Sequence, residues 1–156
     1  MFGVLLLFAM WSGAFTDGHA LPQSAIYNQN GCRGANASPD LKWSAPPPGT
    51  KSFVVIMRDV DADGFFHWVR INIPAGVRHL RTGSTVGKDV VTSWGQAAYG
   101  GPCPPPGRPH HYVLTLYAMD VATMPLFRGK LTGESVLNWV GHDALASATL
   151  TGTYGR

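Results

Sequence analysis

Charge is scarce in this chain: only 13% of its 156 residues are Asp, Glu, Lys or Arg, whereas 45% are hydrophobic. That balance excludes a disordered polyelectrolyte and a charge-laced helical bundle. Twelve basic residues against nine acidic ones leave a net charge of +3, and no run of Lys or Arg concentrates it. Without a basic cluster, zinc-finger spacing or a Gly-rich nucleotide loop, nucleic acid is not an indicated partner. Long apolar runs are missing as well. The longest, "MFGVLLLFAMW", is too short to span a bilayer. Cysteine occurs only at Cys32 and Cys103. Neither an HExxH pair nor a Gly-x-Ser-x-Gly elbow is present, so the zincin and α/β-hydrolase signatures are both missing. There is no internal repeat and no low-complexity tract.

Glycine (19) and proline (12) are plentiful and fall without a period, which fits a β-rich domain with many turns rather than a collagen-like repeat. The length suits one domain over residues 1–156 with a real core. Residues 1–14 admit two readings. The apolar start followed by "SGA" has the length of a signal-peptide core with a cleavage site, although no Lys or Arg precedes it. The same residues also suit a buried first strand.

Lys51–Val60, "KSFVVIMRDV", reads as a buried strand, and "DADG" supplies turn chemistry after it. His67–Pro74, "HWVRINIP", alternates, placing His67, Val69, Ile71 and Ile73 on one face and Trp68, Arg70 and Asn72 on the other. The two segments form a hairpin. Val77–Ala98 is an irregular connection or lid. His110–Asp120 is a strand apolar on both faces and therefore central. Thr132–Asp143 carries helical spacing with Thr132 as N-cap, and Ser147–Tyr154 is a last strand. The fold class is mainly β with one or two small peripheral helices.

Strand periodicity also places chemistry. Phe53, Val55, Met57 and Asp59 share a face, so an acid ends an apolar row. The hairpin brings Asp59 beside His67, and His110 and Tyr112 open the inward row of a third strand. A rigid "YGGPCPPPG" loop runs directly into His110 and His111. Acid, imidazoles and phenol at the ends of three apolar rows build a small polar pocket at the rim of the core. Backbone N–H groups around Gly100–Gly101, the imidazoles and the Tyr112 hydroxyl can donate to an anion, while the acids orient the histidines.

Seven segments in this order, "AFTDGHALP", "GCRGANASPDLKW", "GTKSFVVIMRDVDA", "HWVRINIPA", "YGGPCPPPG", "HHYVLTLYAMD" and "GHDALASATLTGTYGR", resemble the phosphatidylethanolamine-binding protein family in its bacterial and archaeal Raf-kinase-inhibitor-like branch. The likeness runs from about Trp11 to Arg156. It implies a β-sandwich with a small pocket for phosphate-type groups. By motif, Asp59 and Asp61 fill the acid-x-acid element and His67 the histidine of the following strand. Gly101, Pro104, Pro105 and Gly107 belong to the stiff wall, with His110 and Tyr112 closing the site. Three positions depart from the family pattern: Val60 stands for proline, Phe65–Phe66 for a tryptophan-containing pair, and His111 for arginine.

The function this implies is non-enzymatic binding of a small anionic or phosphorylated ligand, with no cofactor and no resident metal, and with regulation or inhibition of other proteins as a further role. The protein partner is not identifiable from sequence. The alternative is a metal-dependent hydrolase drawing on Asp59, His67, His110 and His111. Adjacent His110 and His111 point to opposite faces of a strand, however, so only one can enter the pocket. The resemblance also brings Cys32 and Cys103 to loops bordering the pocket, where they are expected to form a disulfide. An oxidised pair favours a periplasmic or secreted location over a cytoplasmic one. His79, in the irregular connection, and His142, at the helix C-terminus, are expected to lie outside the pocket.

Overall fold

The computed structural model describes residues 7–125 and 128–156. Among these residues a six-stranded sheet carries the fold, in the order β2 (His19–Ala20), β9 (Ala144–Tyr154), β8 (His110–Met119), β4 (Ser52–Asp59), β5 (Phe65–Pro74) and β7 (Lys88–Asp89). A smaller sheet of β1 (Met10–Trp11), β3 (Leu41–Trp43) and β6 (His79–Leu80) faces it. One α-helix, α1 (Gly133–Asp143), covers the other side, and a single 3-10 turn spans Gln23–Ala25. The fold is the expected mainly-β sandwich.

Two apolar layers hold these parts together. Phe53, Val55 and Met57 of β4 pack with Leu114 and Leu116 of β8 against Leu41, Trp43 and Leu80 of the small sheet. Val54 and Ile56 point the other way, onto Val136, Trp139 and Val140 of α1. β4 is therefore buried on both faces, as its uninterrupted apolar run requires. β8 lies between β4 and β9 in the predicted central position, but only its Tyr112, Leu114, Leu116 and Ala118 face is fully buried. Thr132 caps α1 as expected: its hydroxyl accepts from the Ser135 N–H, and Ser135 returns the bond to the Thr132 N–H.

At the N-terminus, Met10–Trp11 pairs antiparallel with Lys42–Trp43, and Phe8 stacks on Phe53 with ring centroids 6.3 Å apart. The strand reading thus holds for the end of the apolar stretch, while residues 1–6, the heart of the signal-like segment, lie outside the described residues.

The β4–β5 hairpin forms with a tight turn in which Asp63 (φ 52°) and Gly64 (φ 72°) both adopt left-handed backbone, and the Phe65 N–H closes it on Ala62 O. The simple alternation expected for His67–Pro74 does not survive. Met57 pairs with Trp68 but Arg58 with Phe66, so His67 is an extra residue in β5. A bulge places two successive side chains on one side of the sheet, which is why His67 and Trp68 both leave the helix face. A second irregularity between Phe53 and Val55 coincides with Asn72 at φ 58°. Val69 and Ile71 therefore pack under α1, while Ile73 returns to the sandwich core.

The connection over Val77–Ala98, expected to be irregular, contributes β6 to the small sheet and β7 to the edge of the large one, and it is anchored. Arg70, buried in β5, forms a two-pronged ion pair with Asp89, with Nε–Oδ1 and Nη2–Oδ2 both at 2.8 Å. It also donates to Ser84 O. Trp68 Nε1 donates to the same Asp89 carboxylate at 3.1 Å, and the guanidinium lies 5.0 Å from the Trp68 ring centroid. Asp89→Ala leaves the Arg70 charge and the Trp68 N–H without their shared acceptor, and is expected to cost about 3 kcal/mol of unfolding free energy. Urea denaturation compared with wild type measures it, and a loss under about 1 kcal/mol would mean the pair is a surface ornament.

Candidate functional site

Three strand ends meet at one edge of the sandwich. Asp59 closes β4, His67 sits on the bulge of β5, and His110 and Tyr112 open β8. Register makes the meeting obligatory, because Asp59 is the direct cross-strand partner of Tyr112. With Ala62, Phe65, Trp94, Cys103, Pro104 and Pro105 they enclose a cleft of about 130 Å³. That is well below the roughly 300–1,000 Å³ that drug-sized ligands occupy, so the space suits a group of a few heavy atoms.

Asp59 is almost fully buried and is paired accordingly. Its Oδ2 accepts from His110 Nδ1 at 2.7 Å and its Oδ1 from the Asp61 N–H at 2.9 Å. The carboxylate thereby sets the His110 tautomer, with the proton on Nδ1 and Nε2 left to the cleft. His67 is fixed differently. Its Nδ1 lies 2.6 Å from Gly100 O, and since a carbonyl only accepts, Nδ1 carries the proton. Burial holds the His67 pKa below the ordinary imidazole value, against the opposing pull of the Gly100 carbonyl and the Asp59 carboxylate. Tyr112 is completely buried and its hydroxyl has no hydrogen-bond partner of good geometry. Burial, with Asp59 close by, raises its pKa, so the hydroxyl stays protonated and remains a donor.

The walls are aromatic and stiff. Phe65 lies 5.0 Å from His67 and 5.4 Å from Trp94 between ring centroids, and Trp94 stacks on Tyr27 at 4.4 Å. Phe66, the other half of the expected aromatic pair, turns away to the helix layer, as strand alternation demands. Cys32 and Cys103 are bonded, with Cα atoms 5.9 Å apart, which ties the proline wall to the loop before it as expected. Pro104 and Pro105 line the cleft, whereas Gly107 lies outside it and donates its N–H to Arg156 O.

Two further expected members stand elsewhere. Gly101 does not face the cleft: its N–H donates to Asn36 Oδ1 at 2.7 Å, and a Cβ there would come within 2.3 Å of Ala25 O. The Gly100 N–H is likewise taken by His67 O. The backbone donors anticipated for an anion are therefore spent on holding the loop. Asp61 also lies outside the cleft lining and binds the N–H and Nδ1 of His111 at 2.7 and 2.8 Å. That side-chain bond lowers the Asp61 pKa, and half-exposed His111 points away from His110, as adjacent strand residues must. No set of three or more His, Cys, Asp or Glu side chains gathers in metal-binding geometry among the described residues. His79 pairs with Asp40 at 2.5 Å and His142 with Asn138 O at 2.8 Å, both away from the cleft.

Sequence reasoning missed Trp94 and Ala62. A lone tryptophan inside the Ser/Gly-rich "TSWGQ" was the available signal. Its ring lies against Gly100, where a Cβ would sit 2.0 Å from Trp94 Cδ1, so the loop glycine and the wall tryptophan require each other.

With this geometry in view, comparison with known proteins is decisive. The family described as phosphatidylethanolamine-binding protein matches residues 11–155. The chain belongs to that family. It is 35% identical to UPF0098 protein YbcL of Escherichia coli, over 94% of this chain and 87% of YbcL. It is 36% identical to UPF0098 protein YbhB of the same organism, over 92% and 97%. The crystal structure of Escherichia coli YbcL, described as a new member of the mammalian family, superposes with a TM-score of 0.87 at 33% identity, covering 96% of this chain and 98% of that one. A homologue from Chlamydia trachomatis gives 0.81 at 28% identity, covering 96% and 97%. Family membership supports a binding protein of the bacterial branch.

The lowered His67 pKa has a consequence for stability. An imidazole that resists protonation when folded leaves the unfolded chain binding more protons, so its contribution is complete above the unfolded value of about 6.5 and lost as pH falls below it. Thermal unfolding is expected at lower temperature at pH 5.5 than at pH 7.5, with a slope from this group of at most about 1.4 kcal/mol per pH unit. His67→Gln should flatten the difference, and an unchanged slope in that variant would assign the acid sensitivity to other groups.

Proposed function

We propose that this protein is a non-enzymatic binder whose cleft takes an anionic group of phosphate size, free or as a phosphorylated head group. The observation that carries this reading is the buried Tyr112 hydroxyl. It is a donor beside two imidazoles at the base of a small preorganised cleft, with Asp59 close by but no protein group meeting it in good hydrogen-bond geometry. Leaving such a group unpaired costs about 1–3 kcal/mol, and a ligand oxygen removes that cost. His67 and His110 line the same cleft, each held through its Nδ1, by Gly100 O and by Asp59 respectively. The wall is fixed by disulfide, prolines and spent backbone donors, so little conformational entropy is lost on binding.

The cleft lining holds no serine, threonine or free thiol that could act as a nucleophile, and His111 has left the set the hydrolase alternative needed. Binding without chemistry is therefore the better reading, with the anion held rather than transformed. Regulation of other proteins would then work through ligand occupancy of this edge.

Titration calorimetry with inorganic phosphate, O-phosphorylethanolamine and acetate tests the reading. A charge-assisted hydrogen bond contributes about 1.5–3 kcal/mol, so His67→Ala or His110→Ala should weaken phosphate binding roughly 10- to 150-fold. Tyr112→Phe should cost less, because only a neutral donor disappears. Equal affinity in wild type and both histidine variants would place the anion elsewhere.

A further inference from the structure

Away from the cleft, the loop that carries Cys32 makes one turn whose chemistry is unspent. Asn30 and Gly31 both adopt left-handed backbone, at φ 56° and 83°, and the Cys32 N–H closes the turn on Gln29 O at 2.9 Å. Asn-Gly is the favoured pair for such a turn. Both residues are exposed, and the Gly31 N–H donates to no protein acceptor among the described residues. The peptide joining them can therefore swing without losing a hydrogen bond through that N–H, and glycine has no Cβ to obstruct the approach of its nitrogen. Arg156 lies against the turn. A Cβ on Gly31 would sit 2.9 Å from its Nη1, while its Nε is anchored on Pro104 O at 2.7 Å. The other left-handed asparagines are held. Asn36 Oδ1 accepts from the Gly101 N–H, and the N–H that follows it, on Ala37, donates to Ser24 O. Asn72 Oδ1 accepts from the Met124 N–H, and branched Ile73 follows it.

We propose that Asn30 is a site of self-modification, converting to aspartate and isoaspartate through a succinimide formed with Gly31. The Gly31 nitrogen gives its proton to water and attacks Asn30 Cγ. A C–N bond closes the ring, and the side-chain nitrogen takes up a proton and leaves as ammonia. Water then opens the ring at either carbonyl. Opening at Cγ gives aspartate. Opening at the original peptide carbon gives isoaspartate, whose main chain runs through Cβ and is one carbon longer. The Arg156 guanidinium favours the negative charge that develops on the attacking nitrogen and on the tetrahedral oxygen. Either product then sets a carboxylate beside that cation. Isoaspartate also lengthens the turn two residues before Cys32, which ties the proline wall through Cys103. Because the turn is exposed, its new carboxyl group suits a carboxyl methyltransferase that draws its methyl group from S-adenosylmethionine.

The test is incubation of the folded, disulfide-bonded protein at pH 8.0, with peptide mass mapping of each asparagine over time. Asn30 should gain the amide-to-acid mass about tenfold or more faster than exposed Asn28, whose following residue, Gln29, carries a Cβ. The aged protein should accept labelled methyl groups from an isoaspartyl carboxyl methyltransferase, and fresh protein should not. Asn30→Gln should remove the mass gain at that position together with the methyl acceptance. Arg156→Gln should slow the reaction about fivefold, the size of one unit-charge interaction in water at contact range. Equal rates at Asn30 and Asn28, or methyl acceptance undiminished in Asn30→Gln, overturns the proposal. A rate unchanged in Arg156→Gln overturns the part assigned to the guanidinium.

Discussion

Burial of β4 on both faces is the constraint from which the rest follows. Phe53, Val55 and Met57 need the small sheet, and Val54 and Ile56 need α1, so one strand fixes the order of the layers. Antiparallel register with β8 then sets Asp59 opposite Tyr112 and leaves no freedom in where the polar ends meet. At the end of such a strand an acid cannot reach bulk water easily, and Asp59 is left 3% exposed. A buried carboxylate must be paired or neutralised. The His110 bond and the Asp61 N–H supply that pairing, so the chemistry of the cleft begins as a solution to a burial problem in the core.

The second ordering element is the stretch from Gly100 to Gly107. It looks in sequence like a loop made to present its backbone to a ligand. In the fold its polar groups are spent inward instead: Pro102 O accepts from the Tyr27 N–H, Gly101 donates to Asn36, and Pro104 O accepts from Arg156 Nε at 2.7 Å. Cys103 adds a covalent tie to Cys32, closing a loop of 71 residues. In the chain-entropy picture a closure of that length contributes about 4 kcal/mol by restricting the unfolded chain. The loop is a wall and not a cradle, which leaves recognition to side chains from the three strands.

How much of this was readable from sequence varies with the kind of interaction. Apolar runs and turn residues located β4, the hairpin, β8 and α1 because each element is specified locally, by periodicity, by Asp63–Gly64 and by the Thr132 cap. Motif resemblance brought Asp59, His67, His110, Tyr112 and the proline wall into one site, and the structure brings them together. What periodicity could not show was the bulge at His67, since a single extra residue breaks the count of two without any change in composition. Under strict alternation His67 would share a face with Val69 and Ile71; the bulge separates it from them. Trp94, Asn36 and the Arg70–Asp89 pair were hidden for another reason. Each acts across a long stretch of chain through a hydrogen bond or stacking contact that leaves no local pattern.

The two acid–histidine pairs at this edge divide a task. Asp59–His110 faces the cleft, while Asp61, two residues on in the turn, and His111, one residue on in β8, form the outer pair. The outer pair belongs to a chain of bonds across the strand ends: the Val60 N–H donates to His111 O, the His111 N–H to Asp61, and the Asp61 N–H to Asp59. A proline at position 60, the family's usual residue there, would lack the first of these donors. Here the histidine that replaces the family's arginine supplies fastening through its own N–H and Nδ1, and the valine supplies the bond that a proline cannot. Of the three departures, those at Val60 and His111 act outside the cleft, while Phe65 stands in its wall. The Val60–His111–Asp61 bonds form a clasp beside the cleft, whose base is built from an acid, two imidazoles and a phenol.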